Sequence, residues 1–457
     1  MGRPRPDGEA HLVAGGEGRI GRDLDHDRLA AVELEMEVGF APQIFVEQDP
    51  AAQGCGGGIV IGGKVVAAMQ RQAAEGFSVR GGEVARLLAD LDAADLTVQP
   101  TAGGAWLQAA TGAHPIPKRL VFGMPADPDA ADVRSVVGDV PPEQAASGTL
   151  AEVVRAGYGQ RVLDDLVTPL VGGVYSTAPD EVGLADLAPA LAAAVIAGAP
   201  LRDAVTRAAD GAPAGGAVHG LRGGMHGLAE LLLAAADATG NCVVSLDEPV
   251  TGVARRPGGW RVTTPRRRLD AELVVLAVPL DVAVRLLGGP VAPATTRIDV
   301  ITLVLDAPGL DGDEPRGTGV LVGAGVPGVA AKALTHSTAK WPWLRELAGG
   351  REVFRLSYGR RGQPPATSGL DAAALGGLVR ADAAALLGRT LPAPAAVRRT
   401  GWSILPPGTP GLSRAREWLT EQRIDGLGMV GAGISGVGLA SVVPQARAEA
   451  LKLTSEL

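Results

Sequence analysis

The stretch GLGMVGAGISGVGLASVVPQA, Gly426 to Ala446, carries the residues whose spacing best suits chemistry. Gly431, Gly433 and Gly436 satisfy GxGxxG between a strand-like run and a helix-like one. A backbone without Cβ atoms lets a phosphate or an aromatic ring come close, and the amides opening the next helix present N–H groups to negative charge. Such a turn suits a dinucleotide or a flavin, and the same glycines would also serve a tight packing turn between helix and sheet. Only 21 residues follow Gly436, too few for the helix, second strand and acidic ribose contact of a complete dinucleotide-binding unit. A second glycine pair, Gly223-Gly224 in LRGGMHGLAELL, precedes another amphipathic run. His226 and His336 stand alone beside glycine or in a turn, the usual setting of structural histidines. Cys55 and Cys242 are far apart with no CxxC, which argues against a zinc site or a disulfide framework. Gly58 to Lys64 fits GxxxxGK by chance, with Val65 where a hydroxyl should hold magnesium.

Periodicity indicates the elements that must position these residues. GEVARLLADLDAADL (82–96) repeats apolar residues at helical spacing, and Trp106 to Ala109 reads as a short strand. Between Thr149 and Ala197 the pattern predicts a helical insert, with helices at Leu150–Ala156, Gln160–Leu170 and Leu184–Ala197 and turns at Gly172-Gly173 and Ala178-Pro179. A helix from Met225 to Thr239 precedes three strands, Cys242–Leu246, Val250–Arg255 and Trp260–Thr264, and then the wholly apolar Leu273–Ala277, expected to be buried on both faces of a parallel sheet. Arg297–Leu305, Gly319–Val322 and Val353–Tyr358 predict a second, antiparallel sheet, followed by a helix at Asp371–Leu387. The chain closes on a strand at Leu427–Val430, the glycine turn and a helix to about Leu453.

Six segments in this order resemble one family: Gly123-Met124-Pro125-Ala126-Asp127-Pro128, TPLVGGVYS (Thr168 to Ser176), LRGGM (Leu221 to Met225), VVLAVP (Val274 to Pro279), GWSILPP (Gly401 to Pro407) and VGAGISGVGL (Val430 to Leu439). The set is similar to the protoporphyrinogen and coproporphyrinogen III oxidases of the actinobacterial type and spans Glu75 to the C-terminus. The resemblance implies an α/β FAD-binding domain of the p-hydroxybenzoate-hydroxylase and monoamine-oxidase type, doubly wound and assembled from distant segments, with a substrate domain and a helical insert. It divides the chain into 75–215 (substrate binding and helical insert), 216–290 (FAD domain, middle part), 291–400 (substrate-domain sheet) and 401–457 (FAD domain, C-terminal part). The implied flavin contacts are Gly431, Ala432, Gly436, Val437, Gly438 and Leu439, with Trp402 in the flavin region and the Val250 backbone at the adenine. Arg80 matches a region lining the substrate pocket, where substrate propionates need cationic partners, although a solvated surface arginine fits the sequence equally well. The implied reaction is the six-electron oxidation of coproporphyrinogen III in heme biosynthesis, with dioxygen reoxidising FAD to give hydrogen peroxide, no metal and no assigned catalytic side chain. Protoporphyrinogen IX is the alternative substrate, and a downstream ferrochelatase is the implied partner. A carotenoid-desaturase-like flavoenzyme is disfavoured by TPLVGGVYS.

Composition sets the outer limits. With 46% hydrophobic and 20% charged residues the 457-residue chain can bury several cores, and a net charge of -8 makes nucleic acid a poor main partner. No run has the length of a membrane-spanning helix, though Ala185 to Ala197 is apolar enough to rest on a membrane. The first residues lack the apolar core of a secretory signal, so the expected location is the cytoplasm, with peripheral membrane contact at most. Residues 1–74 break the resemblance. The family's strand–GxGxxG–helix cradle for the pyrophosphate is not recognisable in them: GEGRIG (16–21) has the bare spacing but runs into the Arg- and Asp-crowded RDLDHDR, and GCGGG (54–58) fails the spacing. Abundant glycine, proline and arginine point to GC-rich DNA, in which a frameshift or misassigned start is the expected origin of such a segment; an inactive, flavin-free porphyrin-binding protein is the other outcome.

Overall fold

The computed structural model describes residues 74–211, 218–240, 242–245, 248–307, 310, 315–422 and 426–455, together with the backbone of a strand at Ala10–Leu12. The sequence readings for the GCGGG and GxxxxGK stretches lie outside the described residues.

The described body begins with β1 (Phe77–Ser78), α1 (Glu83–Asp90) and β2 (Thr97–Val98). The expected helix over 82–96 therefore ends at Asp90 and resumes as one 3-10 turn, Ala94–Leu96. The hairpin β3 (Trp106–Ala109) and β4 (Gly112–Pro115) leads into the helical insert. There α2 (Leu150–Tyr158) opens on a reciprocal cap, in which the Glu152 amide donates to Thr149 Oγ1 at 3.3 Å and the Thr149 amide donates to Glu152 Oε2 at 2.8 Å. Helical backbone continues from Gln160, through a wide π turn at Leu163–Val167, into α3 (Thr168–Tyr175). Gly172-Gly173 thus lies inside a helix, not in the expected turn. Glycine costs about 1 kcal/mol there, and close packing of Gly173 against Leu321 and Lys332 accounts for its presence. The expected helix over 184–197 is two, Leu184–Leu187 and Pro189–Ile196, because proline restarts the helix.

Next come β5 (Val218–Leu221) and α4 (His226–Asp237). Two-residue β1 and β2 both pair antiparallel with β5. β6 (Cys242–Val244) pairs in parallel with Ala10–Leu12. The meander has three strands, β7 (Gly252–Arg256), β8 (Gly259–Thr263) and β9 (Arg268–Ala271), the last of which the sequence did not signal. β10 (Val274–Leu276) follows as expected but is not buried on both faces, since Val275 is 49% exposed.

The largest sheet among the described residues is built on β11 (Thr296–Leu305), a ten-residue strand buried along nearly its whole length. With β12 (Gly319–Val322), β13 (Ala333–His336), β14 (Glu352–Tyr358) and β15 (Pro394–Ile404) it forms a seven-stranded sheet in the order β15-β11-β14-β13-β12-β3-β4. All its pairings are antiparallel except β12 with β3. The helix α5 (Ala372–Leu387) covers one face through Leu375, Val379, Ala383 and Leu386, starting at an Asp371 cap that accepts from the Ala374 amide at 2.8 Å. After α6 (Leu412–Glu421), β16 (Leu427–Met429) pairs in parallel with β10, Val274 opposite Leu427. The closing helix α7 (Leu439–Thr454) packs Val443 into the core formed by Phe77, Val84, Leu88, Leu221, Met225 and Leu228. That core ties the C-terminal turn to β1 and to the loop that carries Arg80.

Candidate functional site

The turn between β16 and α7 departs from ordinary backbone. Gly431, Gly436 and Gly438 have φ of +109°, +92° and +101°, a region side chains rarely adopt, and a Cβ built on any of them would meet no atom of the described residues within 4 Å. The glycines are therefore demanded by backbone conformation and open onto space. Gly431 and Ala432 start one short helical turn that ends at Gly436, and Gly438 caps the sixteen-residue α7. Val437 is 67% exposed and Leu439 half-buried. The Gly431 amide donates to Gln445 Oε1 at 3.3 Å, Gln445 Nε2 donates to the Met429 carbonyl at 2.8 Å, and Arg416 Nε of α6 donates to the Gly433 carbonyl at 2.8 Å. Side chains thus hold the turn from behind and leave its front edge open. An open glycine edge at the positive end of a long helix fits the electron-rich edge of a flavin, whose reduction adds negative charge.

The sequence-derived residues do not all gather at this point. Six of them, Gly431, Ala432, Gly436, Val437, Gly438 and Leu439, form the turn itself. Trp402 is half-buried near the end of β15, its backbone opposite Ile298 of β11. The same chain runs on through Pro406 to α6, the helix that supplies Arg416. Val250 is half-buried just before β7, against the core of Val253, Trp260 and Leu276. Arg80 is exposed on the loop between β1 and α1.

A second set of residues forms a wall on the Arg80 side. Tyr175, the last residue of α3, lies 5.7 Å from the Phe122 ring, centroid to centroid. Burial pushes the Tyr175 phenol up, and Arg80 is near enough to oppose the shift. Val174 beside it is 53% exposed. Phe122 is held by Gly123, at φ +89°, where a Cβ would stand 2.6 Å from the Val167 Cα; only glycine lets this loop lie on the π turn before α3. The sequence motifs starting at Gly123 and Thr168 are thereby brought together, far apart as they are in the chain. The sequence motifs include Val174 and Tyr175 but stop short of Phe122, and none of the three was singled out, since apolar side chains beside a lone arginine leave too faint a signal.

The Arg80 loop is anchored by a buried charge network. Glu75 Oε2 pairs with Lys340 Nζ at 3.1 Å, Ser337 Oγ donates to Glu75 Oε1 at 2.9 Å, and Arg355 Nη1 stands 3.5 Å from Oε1. Burial alone would raise the Glu75 carboxyl, but Lys340, Arg355 and the two hydrogen bonds hold it below the ordinary carboxylate range. His336 is the partner of buried Glu352, at 2.6 Å, and Thr338 and Arg345 complete that second network, so its role is structural. Among the described residues there is no cluster of three or more metal-ligating side chains, and no helix is long and apolar enough to cross a membrane. Surface hollows of about 440 Å³ and 560 Å³, lined by residues such as Arg380 and Leu391 in one and Gly289 and Trp418 in the other, share no residue with the turn or the wall.

Comparison with known proteins gives consistent results. Residues 141–304 match the family model of the flavin-containing amine oxidoreductases. Coproporphyrinogen III oxidase of Mycobacterium leprae is 31% identical over 319 residues, 65% of this chain and 68% of that protein. The enzyme of the same name from Mycobacterium tuberculosis is 30% identical over 65% of this chain and 67% of its own length. Among solved structures, a protein from Exiguobacterium sp. 255-15 provisionally designated protoporphyrinogen oxidase superposes with a TM-score of 0.69 at 23% identity, covering 84% of this chain and 88% of that one. Cyclohexylamine oxidase from Brevibacterium oxydans IH-35A superposes at 0.52 with 14% identity, covering 85% and 90%. At these identities the two structures speak for the fold, which is that of the flavin-dependent amine oxidases.

Proposed function

This chain belongs to the protoporphyrinogen and coproporphyrinogen III oxidase family of flavin-containing amine oxidoreductases, and from that premise we propose that it oxidises coproporphyrinogen III to coproporphyrin III with bound FAD. The balance is six electrons and six hydrogens removed from the macrocycle, with three dioxygen molecules reduced to three of hydrogen peroxide. The observation that carries the proposal is a glycine-edged helix start, open at its front among the described residues and joined through one core to the loop of Arg80, whose charge reaches Tyr175 in the Phe122–Tyr175 pair. On this reading 216–290 and 401–457 hold the cofactor, while 75–215 and 291–400 hold the substrate.

When bound, the flavin supplies a two-electron acceptor that dioxygen can reoxidise. The chain's own part is positional. The amides that open α7 favour negative charge at the edge they face. The inclined rings of Tyr175 and Phe122 offer apolar contact to a macrocycle, and Arg80 offers a planar donor fork to a propionate. A porphyrinogen is already easily oxidised, so holding a bridging carbon in line and excluding competing reactions are the main demands on the protein. Protoporphyrinogen IX, with two propionates in place of four, is the alternative substrate, and the names of the two mycobacterial relatives favour coproporphyrinogen. The competing reading is a porphyrin-binding protein without flavin, favoured by the Arg- and Asp-crowded run that follows GEGRIG (16–21), which is unlike the segment after a dinucleotide-binding glycine turn.

The test is aerobic turnover. Purified chain supplied with FAD and coproporphyrinogen III is expected to produce coproporphyrin fluorescence and three equivalents of peroxide per porphyrin. Porphyrin formation no faster than the uncatalysed background would overturn the assignment.

A further inference from the structure

Lys332, just before β13, is only 5% exposed, and among the described residues no carboxylate is paired with it. Its Nζ donates to Ser176 Oγ. The neighbouring charge is another cation, Arg360, whose Nη2 donates to the carbonyls of Val322 at 3.1 Å and Gly323 at 3.4 Å and whose Nη1 is buried without a partner. An uncompensated buried ammonium is costly, and a well-packed methionine would do better for stability alone. The residue therefore needs an explanation other than stability.

The explanation lies in its acceptor. Ser176 ends α3 in the left-handed conformation, φ 60° and ψ 25°. For a residue with a Cβ this costs about 1–2 kcal/mol, and such strain persists where surrounding contacts over-determine it. Ser176 is tied at three points. Its amide donates to the Gly172 carbonyl at 3.2 Å, its carbonyl accepts from the Arg361 amide at 2.9 Å, and its hydroxyl accepts from Lys332. Tyr175, the residue before it, forms the wall with Phe122 and Arg80. Gly173, one turn earlier in α3, is pressed so closely on β12 and Lys332 that a Cβ would lie 2.9 Å from Leu321 Cδ2 and 3.2 Å from the Lys332 carbonyl.

We infer that Lys332 and Ser176 are positioning residues for the oxidation proposed above: their bond fixes the turn at the end of α3 and so aims Tyr175 at the bound macrocycle beside Arg80. This inference rests on the porphyrinogen reading. Burial first, and Arg360 second, bring the Lys332 ammonium down to about 7, so the tie weakens as pH rises through neutrality. The other titratable groups on the elements around it are Tyr175 on α3, Tyr358 on β14, Arg361 on the turn after β14, and Asp382 on α5. Arg361 is paired with Glu181 at 3.2 Å, and Asp382 accepts from the Ala330 and Ala331 amides.

The test is a titration of the full chain with coproporphyrin III, followed at the Soret band between pH 6 and 9, alongside urea unfolding in the same buffers. The wild type, Lys332→Met, Lys332→Arg and Ser176→Gly are compared. In the wild type the dissociation constant is expected to rise about fivefold across pH 7, the scale of one hydrogen bond. Over the same range stability relative to Lys332→Met should rise, opposite to the fall in affinity, because the unfolded lysine keeps its proton to about pH 10 while the folded one loses it near neutrality. A purely structural lysine would shift binding and stability in the same direction. Ser176→Gly removes the strained Cβ and keeps the fold, and it should bind porphyrin more weakly at pH 6 with no inflection near 7; Lys332→Arg should restore tight binding without the inflection. Identical affinities and pH profiles in wild type, Lys332→Met and Ser176→Gly would overturn the positioning role and leave the oxidase reading intact. A wild type that binds no coproporphyrin at any pH would instead remove the parent reading and this inference with it.

Discussion

The two sides of the site are built in opposite ways. The turn at Gly431–Leu439 achieves close approach by omission: glycines with positive φ, half-exposed residues and side-chain ties only from behind. The wall at Phe122, Val174 and Tyr175 is held by addition, with buried charges at Lys332 and Glu75 and a strained serine cap pinned on three sides. A cofactor held by its edge needs backbone with nothing in the way. A flexible substrate needs a surface that does not move. Substitutions should therefore damage the turn by adding atoms and the wall by removing them.

The largest effect is expected at the turn. Gly438→Val places a branched side chain at φ +101° and fills the front edge of the cleft, so flavin content should fall at least a hundredfold, given the few kcal/mol that such strain and overlap cost. Flavin absorbance per mole of folded chain measures this, with circular dichroism unchanged. Glu75→Gln tests the wall by subtraction. It leaves half-buried Lys340 and buried Arg355 without this carboxylate and should cost about 1–3 kcal/mol in urea unfolding. The pH dependence has a definite sign. A carboxyl held below its ordinary value contributes stability above that value and loses it as pH falls through it, so the wild type should weaken below about pH 4.5 while Glu75→Gln loses less over the same range. Arg80→Ala should have the smallest effect, raising KM for coproporphyrinogen III about threefold to tenfold with kcat nearly unchanged, because an exposed arginine contributes mainly binding. A kcat loss as large as the KM change would mean that Arg80 acts on the reacting ring and would sharpen the distinction between wall and turn.

The turn was legible in the sequence and the wall was not. Gly431, Gly433 and Gly436 carry a fixed spacing between a strand and a helix, which marks the turn, and the family resemblance of VGAGISGVGL supplied the six cofactor positions. The wall is assembled from Phe122, Tyr175, Lys332 and Arg80, spread over more than 200 positions. Nothing local unites them. Lys332 in GVAAKALTH looks like a charge at the edge of an apolar run, and the contact that buries it comes from a helix some 160 residues earlier. Gly172-Gly173 was expected to break the helix, and tertiary packing overrode propensity there. β15 went unread because PAPAAVRRTGWSI begins with prolines and carries adjacent arginines, which hides the alternation of an edge strand. The strands of β11, β12 and β14 were visible because Val, Ile, Leu and Phe dominate them, even with buried Asp299 and Arg355 interspersed.

The most direct test of the central claim is an anaerobic one. Purified chain is mixed with FAD, freed of excess cofactor, and scanned from roughly 350 to 500 nm before and after coproporphyrinogen III is added without oxygen. The account predicts a bound flavin spectrum that bleaches on addition and returns when air is admitted. A chain that retains no flavin, or a bound flavin that the porphyrinogen leaves oxidised, would contradict it.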